Sequence, residues 1–305
     1  MWGDKRYNNL NYFLKNKFGE KIYKLSLDAG FTCPNRDGRI SKDGCLFCSK
    51  RGSGDFTYKD KSVKEQIKMQ KELLNNKISN GKYIAYFQAY TNTYDTIENL
   101  KKIYNSALSE PDIVGIAIAT RPDCLNDEII NLLSELSKKT YLWVELGLQT
   151  INENTAKLIN RGYNLDVFES AIQKLEDANI DKVIHVITGL PNETSFDVIK
   201  TIKYLNNLSI QGIKIHMLHI LKETPLERFY FKEKFDIMEK DNYINLVIDI
   251  IKILRKDIVI HRLTGDAPRN LLIAPLWSTD KKHILNKINK KLKDQNILQG
   301  EDYNV

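Results

Sequence analysis

Residues 22–48 read Ile22-Tyr-Lys-Leu-Ser-Leu27-Asp-Ala-Gly-Phe-Thr-Cys33-Pro-Asn-Arg-Asp-Gly-Arg-Ile-Ser-Lys-Asp-Gly-Cys45-Leu-Phe47-Cys48. A short β-rich run, Ile22 to Leu27, empties into a glycine- and charge-rich loop that holds three of the chain's four cysteines. The same unit recurs downstream. Further β-rich runs lie at Tyr83 to Gln88, Ile113 to Ala119, Tyr141 to Leu148, Lys182 to Thr188 and Gly212 to Ile220. Between them, apolar residues at helical spacing mark helices over Val63 to Asn80, Thr96 to Ser109, Asn126 to Lys138, Leu165 to Ala178 and Ser195 to Leu205. A βα repeat of this kind calls for a parallel sheet with helices on its outer face. Periodicity alone leaves two forms open, a doubly wound open sheet and a partial barrel.

The chain has 305 residues, 42% hydrophobic and 28% charged, enough to bury one large core and incompatible with extended disorder or a disulfide framework. Lys and Arg exceed Asp and Glu by 46 to 39, a net charge of +7 that permits an anionic partner without demanding one. No window supplies the roughly 18–20 consecutive apolar residues of a membrane span. The start, Met1 to Lys24, interleaves aromatic and basic residues and does not read as a leader, so the expectation is a cytoplasmic protein with no membrane partner. After residue 225 the pattern changes. A long amphipathic helix over Ile237 to Arg255 precedes a short strand at Ile258 to Ile260, the turn-rich stretch Arg262 to Pro275 and a lysine-rich helix over Thr279 to Gln295. The expected organisation is an N-terminal extension (1–21), a βα core (22–225) and a C-terminal extension (226–305) packed on the open side.

Cys33, Cys45 and Cys48 form C-x11-C-x2-C. In a cytosolic chain such clustering points to a metal rather than to disulfides. Thiolates suit zinc or iron–sulfur clusters, and the ligand count discriminates between them. A structural zinc site closes four ligands, which here would require Cys124 or a histidine brought from afar. Three cysteines alone would leave one iron of a [4Fe-4S] cluster open to something other than protein. Placement after the first strand favours the open cluster, because active sites of βα barrels collect at the C-terminal strand ends.

On these residues the chain resembles the radical S-adenosylmethionine (SAM) superfamily, whose cluster loop follows the first strand and carries an aromatic, here Phe47, before the last cysteine. The spacing departs from the commonest C-x3-C-x2-C form. It is similar to the branch containing the Elongator catalytic subunit, and the stretch Arg262-Leu-Thr-Gly-Asp-Ala-Pro-Arg269 resembles the C-terminal signature of a bacterial subgroup of that branch. The resemblance implies an α/β fold, a partial (β/α)6 barrel with N- and C-terminal helical extensions. It also implies a [4Fe-4S] cluster on Cys33, Cys45 and Cys48, with SAM bound at the open iron and cleaved to a 5'-deoxyadenosyl radical. At the strand ends it implies cofactor contacts from Gln88, in the turn that replaces the family's glycine-rich one, and from Glu145 and Gln149. Arg161 would pair with the methionine carboxylate, which a planar guanidinium grips bidentately; without the cofactor, a Glu145–Arg161 ion pair is the plain alternative. His185 precedes the Gly189-Leu190-Pro191 turn on the cofactor side, and Ile220 or Leu221 would pack on adenine. Tyr90, Tyr94, His216 and His219 are the candidates for finishing the substrate radical, the two histidines on nearly opposite faces of one strand. Cys124 is given no role.

The resemblance further implies a substrate class: tRNA, modified at the carbon-5 substituent of wobble uridine, for instance carboxymethylaminomethyl to aminomethyl. An electron donor such as flavodoxin or ferredoxin would supply the cluster. Basic and aromatic residues from Lys5 to Phe18, together with Lys281, Lys282, Lys287, Lys290, Lys291 and Lys293, could track phosphates and stack bases. The competing readings are radical chemistry on a small metabolite or porphyrin-like molecule, and a metal-binding RNA-interaction module without turnover. Asp266 and Arg269 are expected to cap the barrel mouth.

Overall fold

A computed structural model describes residues 1–75 and 81–303. Its strands are β1 (Ile22–Leu27), β2 (Lys82–Phe87), β3 (Ile113–Thr120), β4 (Tyr141–Gln149), β5 (Asp181–Thr188), β6 (Gly212–Met217), β7 (Ile220–Leu221), β8 (Val259–Arg262) and β9 (Leu272–Ala274). Its helices are α1 (Leu10–Phe18), α2 (Val63–Asn75), α3 (Ile97–Leu108), α4 (Asp127–Ser137), α5 (Glu153–Leu158), α6 (Leu165–Asp177), α7 (Ser195–Asn206), α8 (Pro225–Glu233), α9 (Lys240–Ile253) and α10 (Lys281–Asp294). The helix expected over Val63 to Asn80 is seen as far as Asn75; residues 76–80 lie outside the described residues.

Seven strands pair in parallel in the order β1-β2-β3-β4-β5-β6-β8, an open half-barrel rather than a doubly wound sheet. The expected count of six is corrected by β8. The short strand assigned to the C-terminal extension pairs with β6, Gly212 against Val259 and Ile213 against Ile260, and becomes the seventh stave. The long run Gly212 to Ile220 is also divided. β6 stops at Met217, and the two residues of β7 turn away to pair antiparallel with β9.

Alternation along the strands sorts residues between two environments. Leu25 and Leu27 of β1, Ala85 and Phe87 of β2, Ile116 and Ile118 of β3 and Leu146 and Leu148 of β4 face outward into the main core beneath the helices. The other parity faces the barrel interior, which is layered. At the N-terminal end of the strands Ile22, Ile84, Ala117, Trp143 and Val183 form an apolar layer, and Leu14 of α1 enters it, with Leu10, Phe13 and Phe18 packed around. α1 therefore stoppers the barrel. Asn9 caps it by accepting from the Tyr12 amide, and Gly19 ends it in the left-handed conformation that glycine adopts without cost.

The stopper is stitched to the far end of the chain. Asn8 pairs its carbonyl with the Ile260 amide at 2.6 Å, and Asn9 bridges alongside β8, covering that sheet edge. Gln299, fully buried, accepts from the Asn8 amide at 2.8 Å and donates to the carbonyls of Arg255 and Ile258. The N-terminal aromatics expected to stack bases are mostly used here instead: Tyr7 is buried, and Phe13 and Phe18 lie against Tyr141.

Candidate active site

The C-terminal ends of the strands open into a cavity of about 870 Å³, lined by Cys33, Cys45 and Cys48 on one side and by residues of β1, β2, β4, β5 and β6 below. The cysteine loop is held by its backbone. Arg36 and Asp37 amides donate to the Cys33 carbonyl, and the Cys48 amide donates to that of Cys45. The Arg36 guanidinium donates to the carbonyls of Cys48 and Ser49 at 3.0 and 2.6 Å. Asn35, fully buried, gives its amide to Asn160 and Cys45 Sγ. The Leu46 amide donates to Ile159, and Asn160 donates to Gly44, so the loop is docked on the segment after α5.

A hydrogen bond from Cys48 lowers the Cys45 thiol to about 6 against burial, helped by Arg121, Asn35 and Arg36; the same contact and burial push Cys48 well up. Of the two, Cys45 is the thiol held toward the thiolate, the form that binds metal. Three thiols line one cavity wall, backed by cationic and amide donors, and their donor chemistry is that of a sulfur-ligated cluster with an open position, although among the described residues no three metal-ligating side chains are gathered tightly enough for a single ion. Cys124 does not line the cavity. Its thiol lies 4.0 Å from Asp123, and burial and that carboxylate push it up to about 12.

The turn after β2 lacks glycine, and the close approach is arranged from the other side. Gly52, at φ +50°, receives the Tyr90 ring so closely that a Cβ there would sit 2.4 Å from it. The Tyr90 amide donates to the Gly52 carbonyl at 2.7 Å, and Gln88 donates to that of Ser53. The cluster loop and the β2 turn are thereby locked into one wall.

Phe47, Gln88, Tyr90, Glu145, Gln149, His185, His216, His219 and Leu221 all line the cavity. Both histidines reach it because the chain turns between Met217 and Ile220, which overrides strand parity. Three expected residues do not line it. Tyr94 packs beside Arg39, and Ile220 is fully buried among Ile159, Ile187 and Leu190. Arg161 is the third: its guanidinium donates to the carbonyls of Tyr163, Leu148 and Thr150 and to Glu153 Oε1 at 2.7 Å. With its donors spent on protein it is a strut for the β4–α5 connection, and its carboxylate partner is Glu153, not Glu145. Arg121, which does line the cavity, is engaged bidentately by Asp123 at 2.9 and 2.8 Å.

The floor joins the expected Glu145 and His185 to residues the sequence did not single out, Lys24, Tyr86 and Lys214. Glu145 on β4 is buried and accepts from Trp143 Nε1 at 3.0 Å, from His185 Nε2 at 2.8 Å and from Lys214 on β6. Lys214 also donates to Tyr86 Oη at 2.9 Å. Lys24 on β1 places its ammonium 5.0 Å from the Tyr86 ring. Burial works to raise the Glu145 carboxyl, but Lys214 and His185 hold it well below the carboxylate range. Burial lowers Lys214 to about 7, with Lys24 and Arg262 pushing the same way against Glu145. The signal for these lysines was a charge at inward parity in apolar strands, Ile22-Tyr-Lys24 and Ile213-Lys214-Ile.

At the rim Asp266 pairs with Arg262 at 2.7 Å and Lys281 at 2.8 Å, and Gly265 packs so close to His219 that a Cβ would meet its ring at 2.7 Å. Asp266 and Arg269 both line the mouth.

Residues 33–205 match the model of the Radical SAM superfamily, and residues 210–294 match that of the Radical_SAM C-terminal domain. The chain belongs to the radical SAM superfamily. Its cofactors are accordingly a [4Fe-4S] cluster and SAM. Among radical SAM relatives it is 46% identical to protein YtqA of Bacillus subtilis (strain 168) over 299 residues, 98% of this chain and 93% of that one. It is 35% identical to protein YhcC of Escherichia coli (strain K12) over 265 residues, 87% and 85% of the two chains. Its fold resembles the structure of archaeal Methanocaldococcus infernus Elp3 with an N-terminal deletion, at a TM-score of 0.70 and 17% identity, over 91% of this chain and 64% of that one. Among the described residues no helix is long and apolar enough to cross a membrane.

Proposed function

We propose that this radical SAM enzyme modifies the carbon-5 substituent of wobble uridine in tRNA, for example from carboxymethylaminomethyl to aminomethyl. The observation that carries the reading is the charge of the cavity: seven Lys and Arg side chains line it against three Asp and Glu, although the whole chain has only a mild basic excess. Low-dielectric walls focus such a field on an anionic substrate. The resemblance of the cysteine loop and of the Arg262 to Arg269 stretch to the Elongator branch, and the likeness in fold to Elp3, support the choice of an RNA base.

A bound cluster would supply the electron for reductive cleavage of SAM, and SAM the hydrogen-abstracting chemistry. Cys33, Cys45 and Cys48 hold the cluster, with Asn35 and Arg36 fixing the loop. Gln88, Gln149 and His185, with Phe47 and Leu221 as apolar walls, orient the adenosyl group, and the stoppered floor keeps bulk water from the strand side. Radical SAM enzymes need a reductant; here we assign a flavodoxin or ferredoxin. The lysines of α10 left exposed, Lys282, Lys290 and Lys293, extend the cationic field toward the RNA backbone.

The test is anaerobic purification with iron and sulfide counts, then reduction with SAM in the presence and absence of undermodified tRNA. The expected result is about four irons per chain and deoxyadenosine formation that rises with tRNA. Stimulation by small metabolites alone, or tight tRNA binding without SAM cleavage, overturns the reading.

A further inference from the structure

The floor of the cavity holds more positive charge than protein anions to meet it. Glu145 is its buried carboxylate, and both of its oxygens are taken: Oε1 by Trp143, Oε2 by His185 and Lys214. Lys24 lies on the opposite side of the half-barrel interior, over the Tyr86 ring, and among the described residues no carboxylate comes within ion-pair reach of it. Arg262, the next cation, is already paired with Asp266 at the rim. His216 also lines the cavity, and its Nε2 is buried with no hydrogen-bond partner. A half-buried ammonium that lines the cavity without a carboxylate partner is free to pair with an anionic ligand, and an unpartnered buried ring nitrogen carries a desolvation cost that a hydrogen bond can offset.

From this geometry we infer that Lys24, Lys214 and His216 form a carboxylate subsite at the floor of the cavity, which receives the terminal carboxylate of the substrate's side chain. The inference rests on the function proposed above and names which part of the substrate reaches deepest. Shape decides between anions. The floor is a dead end, closed below by Ile22, Ile84 and Trp143 and by the α1 stopper. A phosphodiester lies within a polymer, flanked on both sides, and stays at the mouth. A carboxylate at the tip of a base substituent can descend past the cysteine loop to the floor. Its two oxygens then meet Lys24 from β1 on one side and Lys214 and His216 from β6 on the other, while Glu145 repels a second anion and fixes the Lys214 ammonium. Anchoring the carboxylate there would hold the neighbouring carbon between floor and cluster loop.

The experiment compares two anticodon stem-loop oligonucleotides on the anaerobic, cluster-loaded protein: one carrying 5-carboxymethylaminomethyluridine, the other its neutral carboxamide. A hydrogen bond to a charged group makes the expected preference for the acid about tenfold to a hundredfold in Kd. Lys24→Gln should erase that preference while SAM affinity stays as in the native protein. Equal affinity for acid and carboxamide in the native protein overturns the subsite, with no variant needed. If both oligonucleotides stimulate SAM cleavage equally, the subsite falls and the tRNA reading stands; if neither binds nor stimulates, both fall. Loss of SAM affinity in Lys24→Gln would assign the lysine to the methionine carboxylate and overturn the inference as well.

Discussion

The mouth and the floor of the barrel interior are built in opposite ways. At the mouth, one loop of sixteen residues, Cys33 to Cys48, carries all three cysteines proposed to hold the cluster, and its own backbone and Arg36 shape it. At the floor, Lys24, Tyr86, Glu145, His185 and Lys214 come one each from β1, β2, β4, β5 and β6. The mouth is a local structure that the barrel carries; the floor exists only when the strands are in register. Damage to the mouth should therefore remove chemistry and spare the fold, whereas damage to the floor should cost stability first.

The sharpest break is Cys45→Ala. It should abolish the iron–sulfur chromophore and SAM cleavage while circular dichroism shows the βα body intact; a full four-iron complement in the variant would remove Cys45 from the ligand set. Next comes Glu145→Ala, which strands Lys214 as a buried charge without its partner. Losing one member of such a pair costs about 3–5 kcal/mol, readable in urea titrations of the anaerobic protein. A loss below 1 kcal/mol would mean that the floor is not a stabilising unit. Arg161→Ala should behave like a floor variant despite its place near the loop. Its carbonyl and Glu153 bonds predict a loss of about 2–3 kcal/mol with SAM affinity unchanged, and a selective loss of SAM affinity would return the arginine to the cofactor.

Acidity should strain the floor as well. Burial pushes His219 down to about 4 and His216, His261 and His185 below their ordinary range. Unfolded, each takes up a proton as pH falls through about 6.5; folded, they resist, so the unfolded state binds more protons and stability falls with pH. His219 alone accounts for up to about 3 kcal/mol between pH 6.5 and 4. Lys214 adds the same sign from about 7 up to its unfolded value. Thermal melts at pH 7.5 and 5.5 should show a clearly lower Tm at the acid value; a flat profile would show these histidines to be solvated. The smallest effect belongs to the exposed face of α10, where Lys293→Ala should change stability by less than about 0.5 kcal/mol.

This asymmetry also explains which parts of the fold and site are legible in the sequence. Six strands and their helices are legible because sheet parity and helix periodicity are local, and the cysteine loop because its ligands are contiguous. The strand at Ile258 to Ile260 is legible, but its place as the seventh stave is not, because four residues, Val259 to Arg262, carry too short a pattern to announce a partner nearly fifty residues earlier. The resemblance points Arg161 at the cofactor, but a guanidinium follows whichever carbonyls the fold presents, and Leu148, Thr150 and Tyr163 present them. His216 and His219 were separated by counting along one strand, a count that fails where the chain turns at Leu218. The lysines of the floor had a signal in their parity, yet only the closing of the sheet shows that Lys24 and Lys214 share one cavity with Glu145.

The stitching of Asn8 and Asn9 to Ile260 and Gln299 fixes an order of events during synthesis. The thiols are translated about two hundred and fifty residues before Gln299, which helps seal the barrel beneath them. Any chain released before Gln299 carries all three cysteines of the loop above a half-barrel whose base has not been fastened.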